Sequence, residues 1–317
     1  MASATPPLPG FLTAYAAPGP RAVNESDGEV PGLHPDAPLA TRRYRPAGPL
    51  RGVIAYSHGL GGSCRSGAAW LRHWASHGFL GVALTHRHER PIDGSPLQLR
   101  RALREALAGK ALRTRVSEMH ALIAALVAAL QPPPLETLVP IGVAGHSFGG
   151  VTTQILAGER RCYDPAPGED EIAGPLYAPV AGLGAALAFS PSARANPLPL
   201  PERFAAVTAP FLSLTGSRDE GLLRGDIDAA NRCLPFEHMP PGGKYLFVAA
   251  EGRHNDFAGE AEDNAGSPPA PAFTPWLSAL STAFWLAHLA GDSTARAALA
   301  GLAAAPQQAA PHRFAAK

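Results

Sequence analysis

Ser147 stands at the centre of Gly145-His146-Ser147-Phe148-Gly149, a G-x-S-x-G pentapeptide followed by Gly150. A serine hydroxyl becomes a useful nucleophile only when a base takes its proton, and this pentapeptide is the form such a serine takes where a strand turns sharply into a helix. The flanking sequence supplies that setting, with the apolar run LVPIGVA before the motif and the helix-compatible VTTQILA after it. Small residues two positions either side let strand and helix approach, and the helix N-terminus behind the serine favours developing negative charge. A phosphate-cradling loop would need a lysine or a G-x-G-x-x-G spacing, and this stretch has neither.

In this architecture the partners follow in the order serine, acid, histidine. His254, in GRHNDF, comes just after the apolar run Lys244–Ala249, at the carboxyl end of a strand where open α/β sheets bind ligands. By contrast, His238 precedes that run, His288 falls inside a helix and His312 belongs to a tail. For the acid, Asp219 follows the run Pro210–Thr215 in a turn, whereas Asp226 and Asp228 lie in an expected helix and Asp256 is too near His254 to face its ring. The expected chemistry is acyl transfer: His254 takes the Ser147 proton and Asp219 orients and balances the imidazolium. A tetrahedral intermediate also needs two backbone N–H donors. Phe148 supplies one, and the glycine-rich turn Ser57-His58-Gly59-Leu60-Gly61-Gly62 supplies the other at Leu60. Leu60, Phe148 and Trp70 are expected to line the acyl side.

Weaker signals point elsewhere. His73 and His77 are four apart in a helix, but no Glu follows the first as in H-E-x-x-H, and His86-Arg87-His88 reads as structural or as substrate rim rather than as metal ligands. Cys64, Cys162 and Cys233 are widely spaced and are expected to be separate thiols. No metal and no cofactor is expected.

These residues need a scaffold. With 317 residues, 46% hydrophobic and 17% charged, the chain has material for one large core. A net charge of +1 excludes a strong field for nucleic acid or an anionic membrane surface. No apolar stretch approaches the roughly 18 residues of a membrane span. Residues 1–20 lack a signal-peptide pattern, so the sequence as given reads as cytoplasmic, or as secreted if a leader was removed. Short apolar runs at 52–56, 79–85, 138–144, 185–189, 210–215 and 244–249 alternate with helical stretches at 68–77, 97–130, after Ser147, 222–233 and 273–289. That alternation predicts an α/β fold with a doubly wound, mostly parallel sheet flanked by helices. Residues 1–50 read as a Pro/Gly-rich segment with edge strands at 11–16 and 40–44 around a loop. Residues 51–290 read as the catalytic domain, with an acidic insertion at 159–183 as lid or cleft wall, and 291–317 as a tail.

The stretches YSHGLGGS at 56–63, HGFLGVALTHRHE at 77–89 and GHSFGG at 145–150 resemble the α/β-hydrolase superfamily, in particular its platelet-activating-factor acetylhydrolase and dienelactone-hydrolase-like branch. The resemblance spans roughly 52–289 and implies an α/β-hydrolase fold, Ser147 as nucleophile, and Leu60 and Phe148 as oxyanion donors. In the animal acetylhydrolases the acid follows the strand after the nucleophile helix. The comparable place here, Phe189-Ser190-Pro191, has no carboxylate, and Asp219 one strand later matches many bacterial esterases and cutinase-like polyester hydrolases. The expected partner is therefore a small-molecule or polymeric ester, with short- or medium-chain or aryl carboxylic esters first. A polyester such as PET, a phospholipid of the acetylhydrolase type and a non-catalytic ligand-binding relative are the alternatives. The oligomeric state is left open.

Overall fold

Every residue of Gly52–Ser57, Phe79–Leu84 and Ala185–Phe189 is buried, on both faces of each strand. Strands of that kind need cover above and below, which a helix-flanked parallel sheet provides. The computed structural model describes residues 6–31, 37–87, 95, 97–98, 109–130, 139–163, 174–194, 196–221, 227–260 and 270–317.

In chain order the strands are β1 (Val23–Val30), β2 (Leu39–Pro46), β3 (Gly52–Ser57), β4 (Phe79–Leu84), β5 (Ile141–His146), β6 (Arg161–Tyr163), β7 (Gly174–Leu176), β8 (Ala185–Phe189), β9 (Phe211–Arg218), β10 (Lys244–Arg253) and β11 (Arg313–Ala316). The helices are α1 (Thr13–Ala16), α2 (Ala68–Ser76), α3 (Gly109–Leu130), α4 (Phe148–Leu156), α5 (Leu200–Phe204), α6 (Ala229–His238), α7 (Thr274–His288) and α8 (Ser293–Ala304). Nine strands form one mixed sheet in the order β1-β2-β4-β3-β5-β8-β9-β10-β11. It is parallel from β4 through β10, and antiparallel only where β1, β2 and β11 join. β6 and β7 pair apart from it.

Alternation along each strand sends one set of side chains to each face. Ile54, Tyr56, Leu187 and Phe189 meet Trp74, Trp276 and Trp285 of α2 and α7. Val53, Ala55, Val143 and Ala186 meet Leu112, Val116, Met119 and Leu122 of α3. α6 packs on β10 through Phe236 and Leu246. Among the described residues no helix is long and apolar enough to cross a membrane.

Several expected elements differ. The 11–16 segment is helical, with Gly10–Leu12 as a 3-10 turn running into α1, because Leu12, Tyr15 and Ala16 share one face that packs with the α7 side of the core. The expected loop after it holds β1, a polar edge strand. Its carboxylates find cations across the ladder, with Arg42 2.8 Å from Glu25 and 2.9 Å from Asp27. Charge of this kind also discourages pairing with a foreign strand. The helix expected at 222–233 runs instead from Ala229, where the Asp228 side chain accepts the Asn231 N–H at 2.8 Å as a cap. Residues 291–317 are no tail, since they form α8 and β11. His312 is buried against Phe247, Trp276 and Phe273 and accepts the Ala250 N–H at 3.0 Å. The stretch expected as a helix at 97–130 is helical at 97–98 and 109–130, and 99–108 lies outside the described residues.

Candidate active site

β5 ends at His146 and α4 begins at Phe148, which leaves Ser147 as the whole of the turn, at φ 56° and ψ −114°. A left-handed φ is costly for a residue with a Cβ and persists only when its surroundings over-determine it. Here they do. A side chain at Gly145 would overlap the Gly149 carbonyl, and one at Gly149 would overlap the Ser57 carbonyl, so β3, β5 and α4 close on the turn only through glycine. The Ser147 N–H donates to Phe189 O at 3.0 Å.

Asp219 lies just past β9 and is fully buried, while His254 opens a 3-10 turn just past β10. The three side chains form one continuous chain. His254 Nδ1 is 2.7 Å from Asp219 Oδ1, and His254 Nε2 is 2.8 Å from Ser147 Oγ. A carboxylate accepts only, so Nδ1 carries the proton and Nε2 is free to accept from the serine. The other Asp219 oxygen accepts the Thr215 hydroxyl at 2.7 Å. Burial by itself would raise the Asp219 carboxyl. The hydrogen bond from His254 and the charge of Arg232 outweigh it and hold the group below the usual carboxylate range.

Arg232 of α6 is a member of this site for which the sequence carries no signal. Its Nε sits 3.1 Å from Asp219 Oδ1, and its guanidinium donates to Ser190 O at 2.9 Å and Pro191 O at 3.3 Å. His146 lies beneath His254, with ring centroids 4.9 Å apart and its Nε2–H donated to His254 O at 3.1 Å. Burial first, and then the neighbouring His254, push the His146 imidazole down to about 3. It is therefore a neutral support for the His254 loop.

A cavity of about 220 Å³ opens at Ser147, lined by Tyr56, Gly59, Leu60, Gly61, Gly62, Ser66, His146, His254, Asn255, Ala258 and Glu260. Leu60 is where it was expected. The N–H groups of Leu60 and Phe148 donate to no acceptor among the described residues, so both are unspent beside Ser147. The Phe148 ring, expected against substrate, points away from the cavity and lies under Arg115, 4.3 Å from its guanidinium carbon. Trp70 is also displaced from its expected role. It is buried in the core, stacked on Phe189 at 5.0 Å, and its indole N–H donates to Phe257 O at 3.0 Å. It braces the turn that carries His254. Sequence reasoning did not single out Tyr56 or Glu260. The Tyr56 hydroxyl is buried without a hydrogen-bond partner among the described residues, and burial, with the Glu260 charge added, drives the phenol above its ordinary range. Burial likewise raises the Glu260 carboxyl.

The remaining candidates settle into structural places. His73 and His77 each donate Nε2–H to a backbone carbonyl of the N-terminal segment, Tyr15 O and Ala17 O, both at 3.0 Å. His86 is buried between Ser57 and Glu118, and His88 lies outside the described residues. The three thiols are free, and no cluster able to hold a metal ion occurs among the described residues. The described parts of 159–183 do not line the cavity; Val180 bonds to Leu156 O and Ala178 O accepts from His120, both at 2.9 Å. Residues 164–173 of that insertion, and Asp226, lie outside the described residues. Compared with known proteins, the chain matches no protein-family model and no curated protein.

Proposed function

We propose that this protein is a serine hydrolase of carboxylic esters, built on an α/β-hydrolase fold. The observation that carries the reading is the unbroken Ser147–His254–Asp219 chain, with contacts of 2.8 and 2.7 Å, ending at a serine in a left-handed turn that faces a cavity. Ser147 Oγ attacks the ester carbonyl as His254 Nε2 takes its proton, and the oxyanion is received by the N–H groups of Leu60 and Phe148. The imidazolium then protonates the departing alkoxide, leaving an acyl group on Ser147. Water, deprotonated by the same nitrogen, releases the acid and restores the serine. Asp219 stays ionised throughout, because its lowered basicity keeps the proton on Nδ1.

The cavity supports small substrates. At about 220 Å³ it falls below the usual 300–1,000 Å³ of ligand pockets, and its lining is mostly glycine, serine, asparagine, tyrosine and glutamate, with Leu60 as the only large aliphatic side chain among the described residues. Short-chain or compact aryl esters suit such a lining better than long acyl chains or phospholipid tails. A polyester remains a second reading, favoured by the described parts of 159–183 packing on α3 and α4 and not over Ser147.

The experiment is hydrolysis of p-nitrophenyl esters from acetate to palmitate, with a fluorophosphonate probe in a parallel sample. Turnover together with labelling at Ser147 is the expected result. Absence of both turnover and labelling would overturn the reading and favour a ligand-binding relative.

A further inference from the structure

We propose that Arg115 is a positioning residue that sets the two oxyanion-binding N–H groups toward the oxygen of the carbonyl attacked by Ser147; this rests on the reading of Ser147 as the nucleophile. Arg115 lies near the start of α3 with 2% exposure. A buried guanidinium is tolerated only when its N–H groups are used. Two of its contacts are to the loop that carries Leu60: its Nη1 donates to His58 O at 2.7 Å and its Nη2 to Gly59 O at 3.2 Å.

The second contact decides the matter. Gly59 C=O and Leu60 N–H belong to one planar trans peptide and point in opposite directions. A carbonyl held toward α3 therefore turns the Leu60 N–H the other way, to the side where Gly59 and Leu60 line the cavity with Ser147. That peptide is close to the serine, since a Cβ at Gly59 would sit 3.6 Å from Ser147 Cβ. The same carbonyl accepts a second donor, His58 Nδ1–H at 2.6 Å. His58 is fixed in that tautomer because its Nε2 accepts the His86 N–H at 3.1 Å. The guanidinium carbon meanwhile lies over the ring of Phe148, 4.3 Å from its centre, beside the other donor. One side chain thus touches the Gly59 end of the peptide that bears one donor and the ring of the residue that bears the other. If its donors are lost, His58 Nδ1–H still holds the Gly59 carbonyl, but the 59–60 peptide is less firmly fixed, and any rotation withdraws the Leu60 N–H.

The test compares Arg115→Lys and Arg115→Met with wild type on p-nitrophenyl acetate, adding the affinity of an arylboronic acid, which adds to a serine hydroxyl as a tetrahedral adduct. Loss of an oxyanion donor lowers kcat by about 10²–10³-fold, and the Met variant is expected in that range with KM within about threefold. Boronate affinity should fall in parallel with kcat/KM, the pH–rate profile should keep its shape, and Lys, able to reach one carbonyl, should recover part of the loss. A merely structural role predicts a lower melting temperature with boronate affinity retained by the folded fraction. Should the Met variant not fold, the Lys variant carries the same comparison. Either variant keeping wild-type kcat, or losing kcat without losing boronate affinity, overturns the assignment. Absence of turnover and labelling in the wild type would instead overturn the serine-hydrolase reading itself.

Discussion

The Nη2 of Arg232 lies 3.1 Å from His254 Nδ1, the same ring nitrogen that faces Asp219 Oδ1 at 2.7 Å. A proton on that nitrogen therefore points at the carboxylate and has a cation at its flank. Arg232 serves the acid more than the base: it touches Asp219 by side chain and backbone, and it holds the carbonyls of Ser190 and Pro191 beside it.

Arg232→Met is accordingly expected to act on both stability and acidity. Removing one partner of a buried ion pair typically destabilises by about 3–5 kcal/mol, which a urea titration would read as a lower midpoint. The Asp219 carboxyl lies below its unfolded value, so its contribution is full above about pH 3.9 and is lost as pH falls through the folded value. Without Arg232 that window narrows and acid unfolding begins at higher pH. An unchanged acid-unfolding midpoint would show that the guanidinium is neutral in its effect.

Ser147 supports a second prediction, because a strained residue can be relieved. Ser147→Ala should lower kcat by about 10⁶-fold, as triad knockouts do elsewhere. Ser147→Gly should be equally inactive yet more stable than the Ala variant, since glycine adopts the 56° φ freely. The difference is expected at about 1–3 kcal/mol, measured by urea unfolding of the two variants. Equal stabilities would mean that the turn carries no strain.

Substrate length gives a third. Leu60 is the only large aliphatic side chain that lines the cavity among the described residues, so Leu60→Ala opens the acyl side while its backbone N–H remains. Turnover of p-nitrophenyl esters should peak at acetate to butyrate in the wild type and move to longer chains in the variant. A peak at palmitate in the wild type would contradict the cavity size.

The buried imidazoles supply a fourth. Burial, chiefly, pushes His58 and His146 down to about 3, where an unfolded histidine titrates near 6.5. As pH falls below about 6.5 the unfolded chain takes up protons that the folded one refuses, so the stabilisation present above that pH is lost progressively down to about 3. Unfolding free energy measured between pH 7 and 4 should fall with a slope approaching two protons from these residues. His146→Asn should shallow the slope by one.

Much of this site is legible in the sequence because its members sit at the ends of apolar runs. Ser147 follows a strand buried almost throughout, and Asp219 and His254 follow strands whose apolar runs, Phe211–Thr215 and Tyr245–Ala249, stop a few residues short of them. The glycines of GHSFG then mark where backbones meet. Arginine is read from sequence as a surface residue, and nothing local distinguishes Arg115, Arg203 or Arg232, each buried in the fold, from the exposed Arg65. Trp70 misleads for a related reason: its distance from Ser147 in the chain does not reveal that a neighbouring phenylalanine ring and the Phe257 carbonyl claim it. β11 is four residues long and holds only through a partner some seventy positions earlier, so no periodicity announces it.

That last strand also protects the molecule from its own kind. β10 spans Lys244–Arg253 and leads directly to His254, and without a neighbour it would present a row of unpaired amides and carbonyls. Pairing of Tyr245–Val248 with Arg313–Ala316 closes the ladder, and the backbones of Lys244 and Lys317 exchange hydrogen bonds at 2.9 and 3.0 Å to seal its end. A chain lacking residues 313–317 would expose the Tyr245–Val248 edge as a template for cross-molecular strand addition.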